Sequence, residues 1–136
     1  MGMNTKILVA DDEQDFVDLI SYNLKEHGFT VLASNDGLDA LVKARRYLPD
    51  LVILDRMVDG MDGYSVCEIL RHQPSTKGIP VIMITAATGQ IARLNGLAAG
   101  ADDFLPTPFS PHELMQRVER VLALQTAKLE REQIEP

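Results

Sequence analysis

Pro49-Asp50-Leu51-Val52-Ile53-Leu54-Asp55-Arg56-Met57-Val58-Asp59-Gly60-Met61-Asp62-Gly63 is the stretch on which the fold turns. Its apolar run, 51–54, is too short for a helix and is bounded by Asp50 and Asp55. Runs of this kind, rich in Val, Ile and Leu, read as strands buried on both faces. The same signal recurs at 7–10, 30–33 and 80–84, and more weakly at 103–105. Helical spacing fills the intervals. Phe16, Ile20 and Leu24 recur every fourth residue with Val17 beside them, and Gly28 follows as a stop. Leu38, Leu41, Ala44, Arg45 and Leu48 predict a second helix, entered through Asn35 or Asp36 and ended by Pro49. Tyr64, Val66, Cys67, Ile69 and Leu70 predict a third. Ile91, Leu94, Leu97 and Ala98 predict a fourth, ended by Gly100. Ser110-Pro111-His112-Glu113 opens a fifth, with Ser as N-cap, Pro at the first helical position and Glu completing a capping box. Its apolar positions are Leu114, Val118, Val121 and Leu122. Strands alternating with helices imply right-handed crossovers and a parallel sheet covered on both faces. That is a doubly wound α/β domain, whose ligand site lies beyond the carboxyl ends of its strands.

The whole chain has 136 residues, 46% of them apolar and 24% charged, which suits one globular domain. Residues 1–5 read as an N-terminal extension or cloning remnant, 6–124 as the domain, and 125–136 as a polar tail or linker that extends the fifth helix or frays. Acidic residues outnumber basic ones by 20 to 13, for a net charge of −7. Nucleic-acid binding by this chain is therefore not expected, because phosphate contacts need clustered Lys and Arg. The longest apolar stretch, 79–87, falls well short of a membrane span, and no secretory signal is visible. Cys67 is the one cysteine. With no disulfide to form, a reducing cytoplasm is the expected compartment.

The residues that close the strands carry the chemistry. The first strand runs into Asp11-Asp12, the third into Asp55, and the fourth into Thr85. In a parallel sheet these ends share one rim, so three carboxylates and a hydroxyl converge. One Asp after a strand is commonly no more than a helix cap. Three together repel: at ~4 Å and an effective dielectric of ~20, each pair costs ~4 kcal/mol. A cation relieves that cost, and hard oxygen donors favour Mg²⁺. Other phosphate chemistries lack their signatures. There is no G-x-x-x-x-G-K-[ST], no G-x-G-x-x-G and no EF-hand loop. Met57 occupies the second position of the D-x-D that haloacid-dehalogenase-type phosphohydrolases carry.

In order and spacing these motifs resemble the receiver domain of bacterial two-component response regulators, from Lys6 to about Leu124. The resemblance rests on residues 7–13, 49–55, 80–86 and 100–105, on Gly60-Met61-Asp62-Gly63, and on Pro108-Phe109. It implies a flavodoxin-like five-stranded parallel sheet of order 2-1-3-4-5. It also implies a phosphoacceptor, Asp55, that takes a phosphoryl group from a sensor histidine kinase or phosphotransfer protein. Asp11, Asp12, Asp55 and the backbone carbonyl of Met57 would bind Mg²⁺ (or Mn²⁺), Asp11 mainly through a water. Thr85 would contact the phosphoryl group and swing inward, with Phe104 rotating in behind it as the switch aromatic. Docking of an output partner or a second copy would use the fourth helix, fifth strand and fifth helix. Arg93, Asn95 and Phe104 lie on that surface, as do His112, Glu113, Arg117 and Arg120.

Two departures stand out. The family carries Lys before the Pro-Phe pair, and Thr107 stands there. Asp59 occupies a position where Pro is common. Arg56 is the nearest basic residue to Asp55 in sequence, but alternation aims it at the opposite sheet face. Two alternatives therefore stand beside the phosphoacceptor: a pseudo-receiver that binds partners without phosphorylation, and a Mg²⁺-dependent phosphohydrolase. His27, His72 and His112 have no ligand spacing and read as surface or capping residues, and Cys67 as core. The Thr107-Pro108 bond is expected to be cis, as the family's equivalent is.

Overall fold

A computed structural model describes residues 4–55, 57–58, 60–85, 94–95 and 97–134. Strands β1 (Lys6–Ala10), β2 (Thr30–Ser34) and β3 (Leu51–Asp55) are separated by helices α1 (Gln14–Glu26) and α2 (Gly37–Tyr47). After β3 come two short strands, β4 (Met57–Val58) and β5 (Met61–Asp62), then α3 (Gly63–His72). Strands β6 (Val81–Thr85) and β7 (Asp103–Pro106) follow, and the C-terminal helix, Pro111–Ile134, ends the described chain. Leu94, Asn95, Leu97 and Ala98 are helical, as expected of the fourth helix, whereas Ile91 and Arg93 lie outside the described residues.

The main sheet is parallel with order β2-β1-β3-β6-β7, the expected 2-1-3-4-5 once the small β4–β5 hairpin is set aside. Alternation along the strands divides the core in two. Leu8, Ala10, Val52, Leu54, Val81, Met83 and Phe104 face α2 and α3, meeting Ala40, Leu41, Ala44, Val66, Cys67 and Leu70. Ile7, Val9, Leu51, Ile53, Ile82, Ile84 and Leu105 face α1 and the C-terminal helix. Each central strand is therefore apolar throughout, because both of its faces are covered.

Several local expectations need correction. β2 is an edge strand: Thr30 and Ala33 are exposed and Val31 and Leu32 only half-buried, so it is not covered like β1 or β3. The buried face of α2 is Gly37, Ala40, Leu41 and Ala44, while Leu38 is exposed. Leu48 is the C-cap, with φ of 47°, because Pro49 forbids the next turn of helix. After Asp55 the chain forms the β4–β5 hairpin, turning at Gly60 with φ of 81°. Of the two readings of the polar tail, extension of the fifth helix is the one found: the C-terminal helix runs on to Ile134.

The caps match the sequence closely. Asp36 caps α2 by accepting from the Asp39 N–H, and Asp62 caps α3 through the Tyr64 N–H. Ser110 and Glu113 form a reciprocal capping box, at 3.1 Å and 3.4 Å. His27 and His72 each place Nδ1 on a carbonyl one turn back, those of Asn23 and Glu68. The Thr107-Pro108 bond is cis.

Candidate functional site

Strand register builds the site. Ala10 pairs with Leu54 on one side and Ser34 on the other, so Asp11 and Asp55, each one residue further on, emerge beside each other. Asp55 pairs with Ile84, which puts Thr85 at the next strand end. Asp11, Asp12 and Asp55 each offer a carboxylate oxygen, and these oxygens lie within 4.8 Å of one another. Asp11 is buried, Asp55 half-buried and Asp12 exposed, so the cluster opens to solvent at Asp12.

The backbone around Asp11 is held from both directions. Its N–H donates to the Ser34 carbonyl at 3.1 Å, and its own carbonyl accepts from Asn35 Nδ2 at 3.1 Å. Its carboxylate accepts the Glu13 N–H at 2.9 Å. Burial nevertheless pushes the Asp11 carboxyl up to about 7, with the Asp55 and Asp12 charges adding to the rise and the Glu13 N–H opposing it. Converged, partly desolvated carboxylates of this kind form a donor set for a hard divalent cation.

Thr85 is buried, and its carbonyl accepts the Thr107 N–H at 2.9 Å. Thr107 is half-buried and carries a hydroxyl and no charge. Met57 begins β4 directly after the segment that leaves Asp55. Phe104 stands apart from the rim. It is only 7% exposed and belongs to the core cluster on the α2–α3 side. Thr85 and Phe104 are thus both buried in this structure.

The expected docking surface is less free than it reads in sequence. Arg117 Nη1 bonds the Asp103 carboxylate at 2.8 Å and the Phe104 carbonyl at 3.1 Å, which ties the C-terminal helix to β7. Asn95, His112, Glu113 and Arg120 are exposed. Arg56, Asp59 and Arg93 lie outside the described residues.

Two supports, one of the site and one of the sheet's opposite edge, have no counterpart among the sequence expectations. Asn35 was legible only as a helix entrance, yet it reaches back to the Asp11 backbone. Arg71 donates to the carbonyls of Gly100 and Ile79 and pairs with Asp102 at 2.6 Å, bracing the N-terminal end of β6. No spacing rule connects residues so distant in sequence.

Known proteins are similar to this chain in sequence and fold. The family model for the response regulator receiver domain matches residues 7–119. The alkaline phosphatase synthesis transcriptional regulatory protein PhoP of Bacillus subtilis is 44% identical over 120 residues, covering 88% of this chain and 49% of PhoP. The phosphate regulon transcriptional regulatory protein PhoB of Rhizobium meliloti is 43% identical, covering 88% of this chain and 53% of PhoB. The chain spans about half the length of these curated relatives. Among solved structures, the chemotaxis response regulator CheY4 of Vibrio cholerae matches with a TM-score of 0.83 at 31% identity, over 87% of this chain and 98% of that one. Fold and sequence agree: the chain belongs to the response regulator receiver domain family.

Proposed function

We propose that this chain is a signalling phosphoacceptor in a two-component or phosphorelay system. An Asp55 carboxylate oxygen attacks the phosphorus of a phosphohistidine on a sensor histidine kinase or phosphotransfer protein. The P–N bond breaks as the P–O bond forms, and the imidazole nitrogen keeps the electron pair and takes up a proton. The observation that carries this reading is the convergence of Asp11, Asp12 and Asp55 carboxylate oxygens within 4.8 Å at the carboxyl end of the sheet.

Mg²⁺ (or Mn²⁺) suits that all-oxygen donor set, with Asp12, Asp55 and the Met57 carbonyl as direct ligands and Asp11 acting through water. Bound there, the cation would offset the carboxylate charges and those of the incoming phosphoryl oxygens. Asp11 and Asp12 hold the cation in this reading, and the Thr85 hydroxyl donates to a phosphoryl oxygen. The unit that does this is residues 6–124, with the rest of the C-terminal helix as its continuation toward further sequence or a partner. A cytoplasmic location goes with this role, and no described helix is long and apolar enough to cross a membrane. The output face is the fourth helix, β7 and the C-terminal helix, serving a second copy or an output partner.

Incubation with Mg²⁺ and acetyl phosphate tests the reading by intact-mass measurement. One added phosphoryl group, lost in Asp55→Asn, is expected. No adduct favours the pseudo-receiver, for which Thr107 at the usual Lys position speaks. Steady phosphate release without an adduct would make the chain a phosphohydrolase and overturn the proposal.

A further inference from the structure

Gly37 opens α2 immediately after its cap, Asp36. Glycine there weakens a helix relative to alanine. Its φ is not in the left-handed region, so the backbone conformation does not call for it. Proximity does. A Cβ on Gly37 would stand 2.6 Å from Met61 Cβ, 3.0 Å from its Cγ and 3.2 Å from its Sδ. Met61 is half-buried against the α2–α3 core and belongs to β5, opposite Val58, while its neighbour Asp62 pairs with Met57.

We propose that the Gly37–Met61 contact is a positioning contact, which sets where the Met57 carbonyl stands relative to Asp11, Asp12 and Asp55. This rests on the phosphoacceptor reading, in which that carbonyl is a metal ligand. The hairpin is gripped on two sides. Met61 abuts α2, and Asp62 caps α3 by accepting the Tyr64 N–H at 2.9 Å. Displacement of Met61 passes through the β4–β5 pairing to Met57, which follows Asp55 closely in the chain. The α2 side of the contact is the firmer one. Asp36 accepts the Asp39 N–H at 3.0 Å, and the Ser34 hydroxyl donates to the Asp36 carbonyl at 2.9 Å. A side chain at residue 37 therefore moves the hairpin rather than the helix. Steric contact is steep, so the wall works as a stop that fixes the carbonyl's depth.

Mg²⁺ titration followed by NMR on the whole chain tests this, using wild type, Gly37→Ala, Met61→Gly and the double variant. Gly37→Ala should weaken Mg²⁺ binding about tenfold, as loss of an outer-shell support does. The double variant should bind more tightly than Gly37→Ala, returning to the milder loss of Met61→Gly, because the Met61 side chain that the new Cβ would strike is gone. A fall in urea midpoint with unchanged Mg²⁺ affinity would make the contact merely structural and overturn the inference. So would a double variant no better than Gly37→Ala. If Gly37→Ala does not fold, Met61→Gly decides: removing the stop should weaken binding, and unchanged affinity overturns the inference. Wild type that binds no Mg²⁺ would instead sink the phosphoacceptor reading, a result these variants cannot mimic.

Discussion

Thr107 is tied to Thr85 through the backbone, its N–H donating to the Thr85 carbonyl at 2.9 Å across the ends of β7 and β6. The bond is indifferent to the side chain at residue 107. A lysine could stand there with the strand ends unchanged, so the threonine alters the charge of the site and not its frame.

Thr107→Lys should therefore fold normally and enlarge the response to phosphorylation. A cation at ~4 Å from a phosphoryl group gains up to ~4 kcal/mol at an effective dielectric of ~20, less the cost of desolvating the ammonium. A ligand shifts two states only by its differential interaction with them, and wild type lacks this one. Chemical shift changes between free and phosphorylated protein are expected to be modest in wild type and larger in the variant. Equal changes in both would show that another group supplies the charge.

The Asp11 carboxyl sets a pH dependence of definite sign. Its value in the folded chain is raised from 3.8 to about 7. Between these values the folded state holds a proton that the unfolded state has lost, so stability falls as pH rises through this window. At about 1.36 kcal/mol per unit, the ceiling is about 4 kcal/mol. Thermal melts in EDTA should drop from pH 5 to pH 7.5 more steeply in wild type than in Asp11→Asn, which keeps an acceptor for the Glu13 N–H. Mg²⁺ must displace that proton, so its affinity should weaken as pH falls below about 7 in wild type. Parallel melting curves for the two proteins would contradict the shift.

Much of this was readable from residue types alone. The run 51–54 closing on Asp55, and Ala10 closing on Asp11-Asp12, fix both strand and rim, because parallel order carries every carboxyl end to one edge. Ser110 and Glu113 announced their capping box. What the sequence withheld depends on distance in the chain. Nothing in Gly37 foretells Met61, nor in Arg71 a partner at Asp102, since such contacts are chosen by packing. Leu38 misled for a related reason: its apolar side chain fits the helical period, yet α2 turns the Ala40–Ala44 face to the sheet and leaves Leu38 66% exposed.

Arg71 should prove a stability residue. It satisfies the Gly100 and Ile79 carbonyls and pairs with Asp102, whose carboxylate also accepts the Val81 N–H at 2.8 Å. Arg71→Met leaves these acceptors wanting and should cost about 2–4 kcal/mol in urea unfolding. Gly100→Ala should also destabilise, because φ is 101° and the new Cβ would meet Arg71 Cγ at 2.7 Å. Since both changes strike one contact, the double variant should lose less than the two single losses added together.

Phe104 offers a test of how firmly its buried ring is held. The ring is 7% exposed and shares its cluster with Met83, Val81, Ala99 and Ala101. Phe104→Ala should cost about 3–5 kcal/mol, the usual range for an aromatic removed from a core. Phe104→Tyr asks a finer question. Its hydroxyl would enter an apolar cluster, and an unpaired hydroxyl there costs about 1–3 kcal/mol. Turning the ring outward avoids that cost by giving up apolar burial of similar size. The tyrosine variant should therefore populate an outward position more than the phenylalanine does. Aromatic NMR signals of residue 104 should broaden or split, and its accessibility to a solvent quencher should rise. Phosphorylation should then shift the tyrosine ring inward by more than it shifts the wild-type ring. A tyrosine as buried and as stable as the phenylalanine would mean that the cluster accommodates the hydroxyl, and that burial of the ring does not restrain the switch.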